Sequence, residues 1–322
     1  MGRFVLRRLA QSAVIVFLVA TLTFVLLRMA PGDPVRAQFR DVTVSQEVID
    51  EYRRSWGLDR SMPVQYVQYL GNLIRGDFGQ SFSLHRPAWD VIREALPNTI
   101  VLALAALGIS FATGMVLGTA QGANPNSRMD HTLTVITLAV FSIPIFWLGL
   151  MFMLVFGQWM GWFPIGGEVS PVYRGLPLVG QLADRFRHLV LPALTLGLGG
   201  AAVVARFHRA AMAEAFAENF IRTARAKGLS EQTVVLKHAL RNALLPAITM
   251  FGLSLPVLFS GSVLVEYVFA WHGMGLAAFE AVGRRDYNVV TAITMIGATL
   301  VVAGNMVADL LYRLADPRTA ES

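Results

Sequence analysis

Six apolar runs, each near the length that crosses a bilayer, constrain this chain more than any other feature. They are Leu9 to Leu27, Thr99 to Thr119, Leu133 to Phe156, Leu189 to Ala205, Ala243 to Val265 and Val289 to Leu311. About 30 Å of hydrocarbon divided by about 1.5 Å of helical rise requires roughly 20 residues. Composition agrees: 55% of the 322 residues are hydrophobic and 15% charged, more apolar surface than one soluble core needs. Mean hydropathy is +0.54. The expected fold is all-α, a polytopic membrane protein with six transmembrane helices.

The runs divide the chain. Residues 1–27 form a short N-terminus and the first span, 28–98 a long external loop, 99–311 a five-helix core and 312–322 a tail. Arg3, Arg7 and Arg8 before the first run resemble the start of a secretory signal. Arg28, however, stands where cleavage before Pro31 would want a small residue, so a retained anchor is expected. With the N-terminus inside, the formal net charge of +6 falls entirely on the side holding both termini and the polar interval Arg206 to Asn242. Excess Lys and Arg face the cytoplasm, which sets the expected orientation.

That polar interval, with seven Lys and Arg between two apolar runs, reads as a docking element. Glu218 and Arg222 stand four apart, and Phe216, Phe220 and Ala224 recur at i, i+4 and i+8, the pattern of one amphipathic helix. Gly228 can end it in a left-handed conformation and Ser230 can cap a second helix, whose apolar side is Val234, Val235, Leu236 and Ala239.

Several chemistries are disfavoured. Cysteine is absent, so disulfides and thiolate ligands cannot form. The six histidines show no metal-site spacing, and no metal is expected. Lys227 and Lys237, the lysines of the chain, follow no glycine-rich loop, so ATP must be hydrolysed elsewhere. Arginines interleaved among six spans do not make a nucleic-acid surface. The loop from 28 to 98 exceeds ordinary connection lengths and reads as a small folded cap. Helices are expected at Gln46 to Ser55 and Val64 to Ile74, the latter amphipathic through Val67, Leu70 and Ile74.

The glycine corner resembles the cytoplasmic coupling loop of ABC importer permeases. The general Glu-Ala-Ala signature would fall on Arg222, Thr223 and Ala224, keeping one alanine. Its Ile-x-Leu-Pro end would fall on His238, Ala239, Leu240 and Arg241, keeping one leucine. RTARAKGL with HALRNALLP, Arg222 to Leu229 and His238 to Pro246, is similar to the variant in the dipeptide, oligopeptide and nickel branch. Four further stretches carry the same resemblance: Gly57 to Phe82, Phe141 to Leu150, Gly161 to Gly167, and Glu266 to Gly275 with Ala281 to Val290, where His272 replaces a usual proline.

The resemblance implies a type I ABC importer permease of a bacterial inner membrane, with both termini cytoplasmic. It implies a homologous second permease, two ATPase subunits that bind ATP and Mg, and an external substrate-binding protein. No cofactor belongs to this chain. Arg222, Thr223, Ala224, Arg225, Ala226, Lys227, Gly228 and Leu229 would dock the ATPases. Glu266, Pro144 and Pro256 are candidates for an external gate or substrate path. A packed kink is the simpler reading of these prolines, as of Pro192 and Pro246, and an interface ion pair the simpler reading of Glu266. Asn305, Asp309 and Arg313 read as a packing or interface series, and Gly197 to Gly200, Gly297 and Gly304 as points of close helix approach. Di- or oligopeptides are the expected cargo, with nickel or another small solute as the alternative. An ion-coupled secondary transporter would need intramembrane carboxylates and inverted repeats, and a membrane enzyme a catalytic constellation; neither is evident.

Overall fold

A computed structural model describes residues 2–39, 44–244, 246, 247, 250, 251, 254 and 263–315. The side chains of 2–5 and 310–315 are outside that description, and most of the fifth apolar run, with Pro256, lies beyond the described residues. The described chain is helical and falls into two units, Met1–Asn98 with Gly273–Val302, and Thr99–His272 with Ala303–Ser322. Among the described residues four helices are long and apolar enough to cross a membrane: Leu6–Met29, Ala88–Ala123, Leu178–Ala217 and Tyr287–Asp309. A fifth candidate is a pair of helices, Arg128–Ser142 and Ile145–Trp159, bent by 99°.

In the first unit, α1 (Gly2–Met29) receives the cap helix α4 (Met62–Ile74), while α2 (Pro34–Gln38) and α3 (Gln46–Ser55) lie between them in sequence. The face of α4 that packs is not the expected one. Phe24 meets Tyr66 and Tyr69 at 5.2 and 5.3 Å, Thr21 Oγ1 and Tyr66 Oη lie 2.7 Å apart, and Tyr69 donates to the Ala20 carbonyl at 3.1 Å. Burial pushes the Tyr69 phenol up to about 12, so it remains a donor. Val67 and Ile74 instead stand exposed. Amphipathic tyrosines supplied both the contact area and the hydrogen bonds that two aliphatic residues could not.

A run of aromatic contacts orders the cap: Phe39 to Tyr52, Tyr52 to Trp56, and Trp56 stacked on Phe82 at 3.8 Å. The first part of α5 (Ala88–Ala123) contributes Ala88, Val91 and Ile92 to a core with Ala281, Val289 and Ala292. After α12 (Met274–Arg284), Arg285 turns left-handed at φ 56° and Asp286 caps α13 (Tyr287–Ala315). Asp286 is fully buried. Its carboxylate accepts from the Ser81 hydroxyl, from both the N–H and the hydroxyl of Ser83, and from Val289 N–H.

In the second unit the expected continuous third span is broken. Before a proline the backbone favours the extended region, and Ile143 adopts φ −75°, ψ 128°, ending α6 (Arg128–Ser142). Pro144 then caps α7 (Ile145–Phe152), which passes into a π-helical segment, Met153–Trp159. The fourth run, short and glycine-rich in the sequence, lies inside the 40-residue α8 (Leu178–Ala217), with Pro192 in its interior. Gly114, Gly118 and Gly122 of α5 face α8. A Cβ on Gly118 would stand 2.7 Å from the Ala205 carbonyl oxygen and 2.9 Å from His208 Cβ, and one on Gly114 2.5 Å from Val204 Cβ. Among the glycines singled out from the sequence, Gly197 and Gly200 also sit in close approaches, to Ile109 and Ser110. Gly199 and Gly297 have nothing within 4 Å of the Cβ position, so the packing expected there does not occur within the described chain.

Candidate functional site

The corner after α8 differs from the expected single helix. Glu218 is extended, φ −73°, ψ 149°, and separates α8 from α9 (Asn219–Ala226). Phe216 therefore belongs to the preceding helix, and Phe220 is exposed. The buried seam of α9 is Ile221 and Ala224, which pack with Met212, Ala215, Val234, Ala239 and Ala243. Ile221 was legible as an apolar residue three before Ala224, but Phe216 and Phe220 offered a bulkier series.

Gly228 ends α9 as its position demands, at φ +73°. Its N–H donates to Arg225 O at 2.9 Å, and Leu229 N–H reaches Ala224 O at 3.4 Å. These two bonds satisfy carbonyls left open at the helix end, the Schellman arrangement. Ser230 Oγ then accepts from Thr233 N–H and caps α10 (Glu231–Thr233). The second helix is not α throughout: Val234–Ala239 is π-helical, which widens the turn carrying Lys237 and His238.

Arg225 bridges the corner. Its Nε and Nη2 donate to the two Glu231 carboxylate oxygens at 2.7 and 3.1 Å, and its guanidinium lies 5.7 Å from the Phe216 ring centroid. The hydrogen bond to Glu231 raises the Arg225 pKa, and the same bond lowers that of Glu231. Of the eight residues expected to dock a partner, Arg222, Thr223, Arg225, Ala226, Lys227, Gly228 and Leu229 are exposed, while Ala224 is core. Phe220, Leu229 and Leu236 add exposed apolar surface. A closed apolar core thus holds an outer face of cations and apolar side chains around one left-handed glycine.

Pro144 sits at the 99° bend, and Pro256 is outside the described residues. Glu266, in α11 (Val263–Val268), is fully buried and accepts from Thr99 Oγ1 at 2.9 Å. Among the described residues no cluster of three or more His, Cys, Asp or Glu could hold a metal. His188 has an acidic companion that its spacing did not lead one to expect: Asp184, four residues earlier, with Nδ1 at 3.8 Å from Oδ2. The Asp130 to Arg209 pair was also missed. Arg209 donates from Nε and Nη2 to both oxygens of a buried carboxylate, at 2.7 and 2.6 Å. The partners are 79 residues apart, a separation no local pattern reports.

Residues 114–321 match the family described as the binding-protein-dependent transport system inner membrane component, and residues 1–103 match its N-terminal companion. The chain belongs to this family and is the permease subunit of an ABC importer, an integral, multi-pass inner-membrane protein that is not itself catalytic and carries no cofactor of its own. Membership implies ATPase and binding-protein partners. Among its relatives, the di/tripeptide transport system permease protein DppB of Pseudomonas aeruginosa is 40% identical over 98% of both chains. The oligopeptide transport system permease protein AppB of Bacillus subtilis is 38% identical over 99% of both. The dipeptide transport system permease protein DppB of Escherichia coli is 34% identical over 99% of this chain and 98% of its own. The solved MetNI methionine ABC transporter in an inward-facing conformation superposes with a TM-score of 0.56 at 19% identity, over 70% of this chain and 96% of that one. This likeness concerns the fold alone.

Proposed function

We propose that this permease imports di- or oligopeptides, forming one half of a path completed by a homologous second permease. Two ATPase subunits drive it, and an external binding protein delivers the cargo. The observation that carries the substrate reading is the end-to-end similarity, 34% to 40% identity, to relatives named as peptide permeases. The Gly228 corner supports coupling: its core is closed, and Arg222, Lys227, Leu229 and Leu236 on its outer side are exposed. The ATPases must bind this corner differently in their two nucleotide states, since only differential affinity shifts a conformational equilibrium. Both termini and residues 206–242 face the cytoplasm, and 28–98 face outward.

The test of function is uptake of labelled dipeptide and pentapeptide into cells carrying the complete transporter, against cells lacking this chain. Chain-dependent uptake of either peptide supports the reading; chain-dependent uptake of nickel alone, with neither peptide transported, overturns it. Orientation has a separate test in this cysteine-free protein. Ser61→Cys should react with an impermeant external thiol reagent in intact cells and Ser230→Cys should not. The reverse pattern would refute the orientation.

A further inference from the structure

Within the first unit is a cavity of about 330 Å³, inside the size range of small-molecule sites, that the transport reading leaves unused. Trp56, Tyr69, Phe82 and Tyr287 give it aromatic walls, and Arg28 and Gln65 bring polar groups to it, as do Asn72, Asn288 and the acidic Asp77. Arg28 presents its guanidinium to aromatic rings, 5.4 Å from the Phe24 centroid and 5.9 Å from that of Tyr287. Its Nε is buried with no hydrogen-bond partner, and Arg28 makes no ion pair among the described residues. Gln65, 8% exposed, donates from Nε2 to the carbonyls of Arg60 and Leu58, which fixes the amide; its Oε1 is left buried without a donor.

Arg28 and Gln65, each holding a buried polar atom without a partner, both line this cavity. Leaving such groups buried and unpaired costs free energy, and a ligand that pairs both recovers it. Arginine's fork suits a carboxylate, Gln65 Oε1 suits an amide N–H, and the rings suit an apolar side chain. We propose that this cavity binds a small molecule carrying a carboxylate, a neighbouring amide N–H and an apolar side chain, the chemistry of an N-acylated amino acid or of the C-terminal residue of a short peptide. Identifying the occupant with transported cargo rests on the peptide-import reading; the binding site itself does not. The cap is then a receiving surface for free ligand.

The experiment uses the full chain in lipid nanodiscs, with alanyl-phenylalanine and its C-terminal amide as probes and calorimetric titration as readout. The acid should bind saturably and the amide about tenfold or more weakly, the loss expected for one charge-assisted hydrogen bond. Arg28→Gln should reduce acid binding by a similar factor and abolish the preference, while Arg28→Lys retains part of it. Arg75→Gln, outside the cavity, should bind as the wild type does. The acid-to-amide ratio on the unaltered chain stands even if an Arg28 variant fails to fold. Absence of saturable binding, equal affinity for acid and amide, or an acid preference that survives Arg28→Gln in a folded protein would overturn the inference. Peptide uptake alongside any of those results leaves the import reading intact. Acid-selective, Arg28-dependent binding without peptide uptake has the opposite meaning.

Discussion

Gly228 and Gly118 both restrict what can replace them, yet for unrelated reasons. At Gly228 the space around a Cβ is empty to 4 Å and the backbone is left-handed, so the difficulty is torsional. At Gly118 the helix is regular and a Cβ would stand 2.7 Å from a backbone oxygen, so the difficulty is spatial. A torsional requirement is met by any residue that tolerates positive φ, whereas a spatial one admits no side chain. One glycine shapes an exposed corner and the other holds two long helices together.

The largest effect is expected on the spatial side. Gly118→Leu should destabilise the permease by roughly 3 kcal/mol or more, because backbone cannot retreat as a flexible side chain would. Greatly reduced membrane abundance and a lowered unfolding temperature would record it. Gly199→Ala is the control: with nothing near its Cβ position it should behave as wild type. Equal damage from both variants would break the distinction.

Next is Asp286→Ala, which strands the Ser81 and Ser83 donors and uncaps α13. A loss of about 2 to 3 kcal/mol is expected for bonds to a buried carboxylate. Thermal unfolding of the purified chain measures it, and a change within error would show that water replaces the carboxylate at no cost.

The torsional case follows. Gly228→Val and Gly228→Ala should cost roughly 1 to 2 kcal/mol at the corner, valine the more because it is β-branched. Gly228→Asn, which visits positive φ readily, should recover most of the loss. Membrane insertion should be normal while ATPase co-purification and transport fall in the order Asn, Ala, Val. Wild-type transport by Gly228→Val with intact assembly would make the corner a tolerant linker.

The smallest effect concerns Arg225 and Glu231, an exposed bidentate pair of the kind worth little in screened solvent. Because the folded-state pKa of Glu231 is lowered, the pair's contribution is present above the ordinary carboxylate range and lost as pH falls through the lowered value. Glu231→Gln should therefore change ATPase co-purification less than Gly228→Ala at neutral pH, and should flatten its dependence on acid pH. A larger loss than that of Gly228→Ala would place the corner's rigidity in the ion pair.

What the sequence disclosed follows the same division. Gly228 and Ser230 were legible because a helix end has a local chemical signature: one residue that accepts positive φ and one that accepts an N–H. The first, second, fourth and sixth runs were legible as spans from length and apolarity. The bend at Ser142 to Ile145 was half legible, since Pro144 marked the place but not the 99° angle. The seam Gly114, Gly118 and Gly122 stood in plain view at four-residue spacing, yet nothing local named α8 as its partner. The bonds of Asp286 to Ser81 and Ser83, and of Asp130 to Arg209, were not legible, because those partners are brought by tertiary folding. The packing face of α4 misled because hydropathy ranks valine and isoleucine above tyrosine, whereas packing against a helix rewards a ring with a donor at its tip.

The seam between α5 and α8 also has a direction. Glycines four apart make a trough running along one helix, and Val204, His208 and Met212, again four apart, form the ridge that lies in it. Motion across the trough must lift the ridge against the adjoining side chains, while a glide along it meets few projecting groups. The Ser110 hydroxyl on the Gly197 carbonyl, at 2.8 Å, and the Thr119 hydroxyl against His208 Nε2, at 3.0 Å, are the latches along that line. The geometry of the pair is that of a rail with two catches: its close contacts oppose sideways motion, and its two hydrogen bonds hold its position lengthwise.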